Sequence, residues 1–237
     1  MSNSEKICKD DTRKPVVAIG DIHGLTKWKE IVEEHEDCTI VFLGDYLDPY
    51  VYITRKEQLA NLSEIIALKK AHMDSVVLLL GNHDLHYFHD RAVSGSRYDF
   101  QIEGKAREMF CGNLDLFQYA FQQDRLIFTH AGIQHRWFVD DFKGDLSMPI
   151  ADQLNNPKEE QVNSLFRLGY ARGGRRDNLG GIFWADIKEL TDPLHGYTQI
   201  VGHNRVADIT ERKGDNDNTI IFCDCLRYGK YYYNENV

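Results

Sequence analysis

Residues 75–84 read Ser75-Val76-Val77-Leu78-Leu79-Leu80-Gly81-Asn82-His83-Asp84. The run from Val76 to Leu80 is apolar without alternation. It fits a strand buried on both faces, as in a parallel sheet covered by helices. It then ends abruptly in glycine, amide, imidazole and carboxylate, at the end of the strand where open α/β sheets bind ligands. The arrangement recurs along the chain. Residues 16–19 lead into Gly20-Asp21-Ile22-His23-Gly24, and 40–43 lead into Gly44-Asp45-Tyr46-Leu47-Asp48. Residues 126–128 lead into Thr129-His130-Ala131-Gly132, and 199–201 into Gly202-His203-Asn204. Turn formation alone explains one such ending, because Asp, Asn and Gly are ordinary turn residues. Repeated endings that all carry metal-ligand side chains point to a site.

The segments between these runs complete an α/β reading. Residues 26–36 place Trp28, Ile31 and Val32 among charges, the spacing of an amphipathic helix. With strands over 16–21 and 39–45 they form a βαβ unit, expected to be parallel. A loop with Pro49 spans 46–54, and a second crossover helix spans 55–73 on Leu59, Leu62, Ile65, Ile66 and Leu68. The stretch 85–123 is rich in His, Arg, Tyr and Phe and reads as helical pieces and loops inserted on the substrate side. Residues 149–169 read as helical, 172–181 as a Gly- and Arg-rich loop, and 186–190 as the start of a short helix. Further strands are expected over 125–129, 198–202, 219–224 and 230–233, the last two as a hairpin-like meander.

Composition limits the function. The chain has 237 residues, 42% of them hydrophobic and 27% charged. That suits one domain over 15–237 behind a polar, flexible leader over 1–14. The net charge of −9 excludes a general binder of nucleic-acid backbone, though not a locally positive, metal-bearing pocket. The cysteines, Cys8, Cys38, Cys111, Cys223 and Cys225, are scattered and odd in number, unlike a disulfide framework. Cys223 and Cys225 would share one strand face and read as buried structural thiols. Residues 1–14 contain no apolar core of a signal peptide, and no stretch has the length of a membrane span. The expectation is a soluble, cytoplasmic protein.

Asp21, His23, Asp45, Asn82, His130 and His203 together offer carboxylate, imidazole and amide oxygen, the ligands of borderline and hard divalent ions. Two such ions about 3.5–4 Å apart can clamp a phosphoryl group during in-line displacement and activate the attacking water. The other histidines are read as structural (His35, His72, His135, His195) or as surface residues (His86, His89). The Tyr231-Tyr232-Tyr233 tail is read as strand.

The five motifs, in their order and spacing, resemble the calcineurin-like metallophosphoesterases. The phosphoprotein phosphatase branch, with the Ser/Thr phosphatases and symmetrical diadenosine tetraphosphatases, is the most similar. Ile182-Phe183-Trp184-Ala185-Asp186 resembles the Leu-Leu-Trp-Ser-Asp segment of that branch. The resemblance implies an α/β fold, a sandwich of two mixed sheets flanked by helices. It implies that Asp21 and His23 bind a first metal, that Asp45 bridges, and that Asn82, His130 and His203 bind a second. It implies His83 as general acid, oriented by Asp48. Manganese is the first choice of ion, and iron, zinc and cobalt also suit the ligands. The implied activity is hydrolysis of a phosphomonoester, on a phosphoprotein or a nucleotide. Hydrolysis of a dinucleoside polyphosphate or a phosphodiester is the alternative. A catalytically inactive binding module ranks last, because all six ligands are present.

The chain departs from the branch in two places. It has Asp48-Pro49-Tyr50 where Asp-Arg-Gly is usual, and Asp84 where Glu is usual. The missing Arg would hold phosphate as a bidentate donor, which Pro cannot imitate. Arg172 or Arg175, separated by two glycines, is expected to supply the guanidinium, with Asn204 or Arg205 as the substitute if both face solvent.

Overall fold

The computed structural model describes residues 14–235, so residues 1–13 of the expected leader lie outside the described residues. Strands β1 (Val16–Ile19), β2 (Thr39–Phe42) and β3 (Val76–Leu79) run parallel, joined by helices α1 (Trp28–Glu34) and α2 (Arg55–Ala71). Strand β4 (Phe117–Gln118) extends this sheet, parallel to β3. The second sheet holds β5 (Ala120–Gln123), β6 (Leu126–Thr129), β7 (Thr198–Arg205), β8 (Thr210–Lys213) and β9 (Thr219–Asp224) in the order β5-β6-β7-β9-β8. Its centre, β6, β7 and β9, is parallel, and β5 and β8 are antiparallel edges. Strand β10 (Tyr232–Asn234) returns to the first sheet, antiparallel to β1. The result is an α/β sandwich of two mixed sheets.

The apolar strands need two buried faces, and each sheet provides them. Val16, Ala18, Val41, Leu43, Val77 and Leu79 point between the sheets and meet Leu126, Phe128, Ile200, Ile221 and Cys223. Their neighbours Val17, Ile19, Ile40, Phe42, Val76 and Leu78 pack in one cluster with Trp28 and Ile31 of α1 and Leu62 and Ile65 of α2. Val201, Ile220 and Phe222 form the outer face of the second sheet with Ala131, Ala185 and Leu190. Side chains alternate along a strand, so a continuous apolar run is what a covered sheet demands. Helix α2 begins at a capping box. The Glu57 N–H donates to Thr54 Oγ1 at 3.3 Å, and the Thr54 N–H donates to the Glu57 carboxylate at 2.8 Å.

Several expectations need correction. Strands β9 and β10 are not a meander: they lie in different sheets, with β9 between β7 and β8 and β10 against β1. The stretch 85–123 carries helix α4 (Glu103–Cys111) as well as β4 and β5, too short and mixed for an apolar run to reveal. A short helix α3 (Asn82–Leu85) precedes it, directly after Gly81. Residues 149–169 form two helices, α5 (Ile150–Asn155) and α6 (Glu159–Leu165), separated around Pro157, which cannot continue a helix. Residues 186–190 form turns, with Asp192-Pro193 closing off elongation. Strand β8, Thr210-Glu211-Arg212-Lys213, has no apolar residue, and its charges suit an exposed edge.

Candidate metal centre

Where the strands end, the backbone adopts conformations that L-residues avoid. His23 (φ 43°), Asp45 (φ 54°), Asp48 (φ 61°) and His203 (φ 59°) all lie in the left-handed region. Each such residue costs about 1 kcal/mol or more, and this kind of strain gathers at functional sites. Two glycines let the strand ends close in. A Cβ on Gly81 would sit 2.1 Å from Asp45 Oδ1, and one on Gly202 would sit 2.3 Å from Asp21 Oδ1.

For Asp21, Asp45, His23 and His130, one side-chain atom is anchored and the other faces a common centre. Asp21 Oδ1 accepts from the His203 N–H and Asp45 Oδ1 from the His83 N–H, both at 2.8 Å. His23 Nδ1 lies 2.8 Å from the Leu47 carbonyl oxygen, and His130 Nδ1 lies 2.8 Å from that of Leu43. Each ring must therefore donate through Nδ1, which leaves an Nε2 lone pair for a ligand. His23 Nε2 is 3.7 Å from Asp21 Oδ2 and 3.7 Å from Asp45 Oδ2. His130 Nε2 is 3.5 Å from that same Asp45 oxygen, 3.0 Å from Asn82 Oδ1 and 3.2 Å from His203 Nδ1. Asp45 thus belongs to two donor groups, one with Asp21 and His23 and one with His130 and His203.

These residues fit divalent ions. Metal–ligand distances near 2.1 Å put neighbouring donors about 3.0–3.4 Å apart in octahedral or tetrahedral shells, close to the separations around His130 Nε2. The electrostatics agree. Burial and neighbouring carboxylates (Asp224 for Asp21, Asp21 for Asp45) push both carboxyls well above their ordinary range. Burial and the charge of His83 push His23 down to about 3, and burial pushes His130 down to about 3. Burial, with His130 beside it, also holds His203 well below its ordinary value, and its buried Nε2 has no hydrogen-bond partner among the described residues. Packed carboxylates that resist ionising and imidazoles kept neutral are the condition that a bound cation relieves.

Beside this centre Asp48 gathers three donors. His83 Nδ1 is 2.7 Å and His86 Nε2 2.9 Å from Asp48 Oδ2, and Tyr87 Oη donates to Oδ1. The Gly95 N–H donates to His86 Nδ1, so the proton of that ring sits on Nε2, towards Asp48. Burial pushes the Asp48 carboxyl up, but these donors outweigh it and leave it below its ordinary range. For His83 burial outweighs the Asp48 carboxylate, and its pKa falls below 6.5. Asp84 braces the turn from beneath, accepting from the N–H groups of Asp45, Tyr46 and Gly81, each at 2.8 Å.

The structure thus brings Asp21, His23, Asp45, Asn82, His130 and His203 together, with His83 and Asp48 alongside. The two arginines divide. Arg172 lines the cavity over this centre, with Nε 2.8 Å from Asp186 Oδ2 and Nη2 donating to Asn204 Oδ1 at 2.9 Å. Arg175 is exposed and does not line that cavity. His86 is buried at Asp48, not on the surface as expected, and its position one turn after His83 was the available signal. Asp224 was missed. It is buried beside Asp21, and burial pushes its carboxyl up to about 6. It ends the apolar run of β9, the same pattern that marked the other endings. Tyr50 and the cavity-lining Lys188 had no sequence signal.

Among solved structures, the chain is similar to a cold-active protein-tyrosine phosphatase of a psychrophilic Shewanella species. The identity is 17% and the TM-score 0.58, over 94% of this chain and 76% of that one. A second structure described as a cold-active protein tyrosine phosphatase matches at 18% identity and a TM-score of 0.52, over 90% and 70%. These likenesses bear on the fold. The family model of the calcineurin-like phosphoesterases matches residues 14–223, which takes in every donor described above. The chain therefore belongs to the calcineurin-like phosphoesterases, hydrolytic enzymes that depend on metal.

Proposed function

We propose that this enzyme, acting as one domain over 15–237, hydrolyses phosphomonoesters of a protein or nucleotide with two divalent ions, manganese first among them. The observation that carries the reading is Asp45 Oδ2, which stands 3.7 Å from His23 Nε2 and 3.5 Å from His130 Nε2. A single carboxylate oxygen between two imidazole lone pairs suits a bridge between two cations. Asp21, His23 and Asp45 would hold one ion, and Asp45, Asn82, His130 and His203 the other. When bound, the pair supplies charge neutralisation at the phosphoryl oxygens and activation of the attacking water. We read the chain as cytoplasmic, where its scattered thiols stay reduced. No helix of the described residues is long and apolar enough to cross a membrane.

The remaining chemistry belongs to the protein. His83 is tied through Nδ1 to Asp48 and lines the cavity, so its Nε2 delivers a proton to the leaving oxygen. Asp48 fixes the tautomer and favours the imidazolium. The hydrogen bond from Tyr87, with the His86 imidazole packed 2.9 Å from Oδ2, keeps Asp48 from turning away or taking up the proton itself. Asp84 keeps the backbone at Asp45 and Gly81 in register, so the bridging carboxylate does not drift.

A metal-reconstituted activity screen tests this. Protein stripped of metal and reloaded with Mn²⁺, Zn²⁺, Fe²⁺ or Co²⁺ is assayed on an aryl phosphate, phosphopeptides, mononucleotides, diadenosine tetraphosphate and a phosphate bis-ester. The expected result is metal-dependent release of phosphate from the monoesters. Faster cleavage of the tetraphosphate or the bis-ester would replace this reading with the dinucleotide or diester alternative.

A further inference from the structure

Arg205 is the last residue of β7, two positions after His203, and lines the cavity of about 360 Å³ that contains Asp21, Asp45, His83 and His203. Its guanidinium carbon lies 3.4 Å from the centroid of the Tyr50 ring. Arg97 lies 4.2 Å from the same centroid, and its Nη1 donates to the Pro49 carbonyl at 3.1 Å. Two cations at these distances cannot share one face, so they sandwich the ring. The His23 imidazole meets Tyr50 edge-on, with centroids 4.7 Å apart and planes at 89°. Tyr50 is therefore fixed against a residue of the candidate metal centre and behind by Arg97.

The cavity has two guanidinium groups with different commitments. Arg172 is engaged by Asp186 and Asn204. Among the described residues Arg205 makes no ion pair and no side-chain hydrogen bond, so its N–H donors are open to a ligand. Tyr50 and Arg205 also line a second, smaller cavity with Leu25, Val51 and Arg227, which shares Asp21 and His23 with the first. The stacked pair thus borders both cavities. Stacking on an aromatic face holds a guanidinium plane without using its N–H groups, leaving the planar fork for an oxyanion.

We infer that Arg205, held flat by Tyr50, is the guanidinium that receives the non-bridging phosphoryl oxygens of the substrate, with Tyr50 as its positioning residue. The inference rests on the phosphomonoesterase reading above. It places the missing bidentate donor on β7, not on the 172–176 loop, and explains why an aromatic residue follows Pro49.

The test titrates inorganic phosphate into the Mn²⁺-loaded protein by calorimetry, with metal content and melting temperature measured for every variant. Arg205→Gln should keep both ions and weaken phosphate binding roughly 10- to 100-fold, as expected for lost hydrogen bonds to a charged group. Arg205→Lys should recover only part, because it keeps the charge without the fork. Tyr50→Leu should also weaken binding, and Tyr50→Phe should recover most of that loss, which simple loss of packing would not require. Arg176→Gln, in the exposed loop, should bind as the parent does. Parent-like binding by Arg205→Gln, or a parent that binds no phosphate, overturns the inference. A parent that binds phosphate through Arg205 yet releases none from any monoester removes the hydrolase reading and leaves this one standing.

Discussion

Replacing Asp45 with Asn changes charge and almost no shape. The amide oxygen can still accept from the His83 N–H, as Oδ1 does at 2.8 Å. The amide nitrogen takes the place of Oδ2, 3.7 Å from His23 Nε2 and 3.5 Å from His130 Nε2. In the metal-free protein, burial and the charges of Asp21 and Asp84 hold the Asp45 carboxyl well above its ordinary range. A carboxyl raised in the folded state binds its proton more tightly there than in the unfolded chain. Its contribution is therefore fully present below the unfolded pKa of about 3.9 and is lost as pH climbs towards the folded value. Asn carries no such titration. At neutral pH the metal-free Asn variant should be at least as stable as the metal-free parent.

With metal the order reverses. An ion at 100 times its Kd adds about 2.7 kcal/mol of stability. For a chain of this size that is roughly 5–11 °C in Tm. A variant with a 100-fold weaker Kd keeps only about 0.4 kcal/mol at the same concentration, roughly 1–2 °C. Thermal melts with and without Mn²⁺, metal analysis after desalting, and phosphate release together give the answer. A variant that holds two ions, melts with the parent's full metal-induced rise and turns over normally would refute the bridge. So would a metal-free variant that melts well below the metal-free parent.

Four further outcomes follow from the geometry. His83→Asn should retain metal, because only its backbone N–H touches Asp45, yet lose roughly 10²–10⁴-fold in turnover of alkyl phosphates and far less for an activated aryl phosphate; equal losses would make His83 structural. Because His83 is held below 6.5, its acid form disappears as pH rises through that lowered value. The alkyl-ester pH optimum should therefore lie on the acid side of the aryl-ester optimum, and coincident profiles would contradict the assignment. Gly81→Ala drives a Cβ into Asp45 Oδ1 and the Asp45 backbone, so about 1–3 kcal/mol of stability and most metal affinity should go together in melts and metal analysis. Thr54→Ala breaks the capping box of α2 without removing a side chain that lines the cavity; it should cost about 1 kcal/mol in denaturant titration and leave kcat unchanged.

The parts of the fold that could be read from the sequence are those in which one residue pattern serves both faces of a sheet. Strands β1, β2, β3, β6 and β9 carry apolar runs because Val16 and Val17, or Leu78 and Leu79, pack into different clusters, whereas β7 has only Ile200 and Val201 before its polar end. Edge strands gave no such signal. β8 is polar and exposed, and β4 has only two residues. The partner of β10 was not legible either. A short tyrosine-rich strand carries no information on whether it pairs with β9 or crosses to β1, and the register Val17↔Tyr233 is settled by tertiary approach.

The same division holds within the site, and backbone strain accounts for it. Asp45, His203 and His23 occupy left-handed conformations, and Gly81 and Gly202 sit where any Cβ would collide with a carboxylate. Those demands are local, so they leave short motifs of glycine beside a polar residue that can be read one strand end at a time. The groups that tune the ligands answer to no local demand. Tyr87 and His86 reach Asp48 across a sequence separation of nearly forty residues, Asp224 reaches Asp21 from the far end of the chain, and Arg205 meets Tyr50 face to face. An aromatic ring, a histidine or an arginine at such a position could as well be packing or surface until the sheets are assembled. The sequence therefore displays the candidate metal donors and conceals the residues around them, Tyr50 and Arg205 among these.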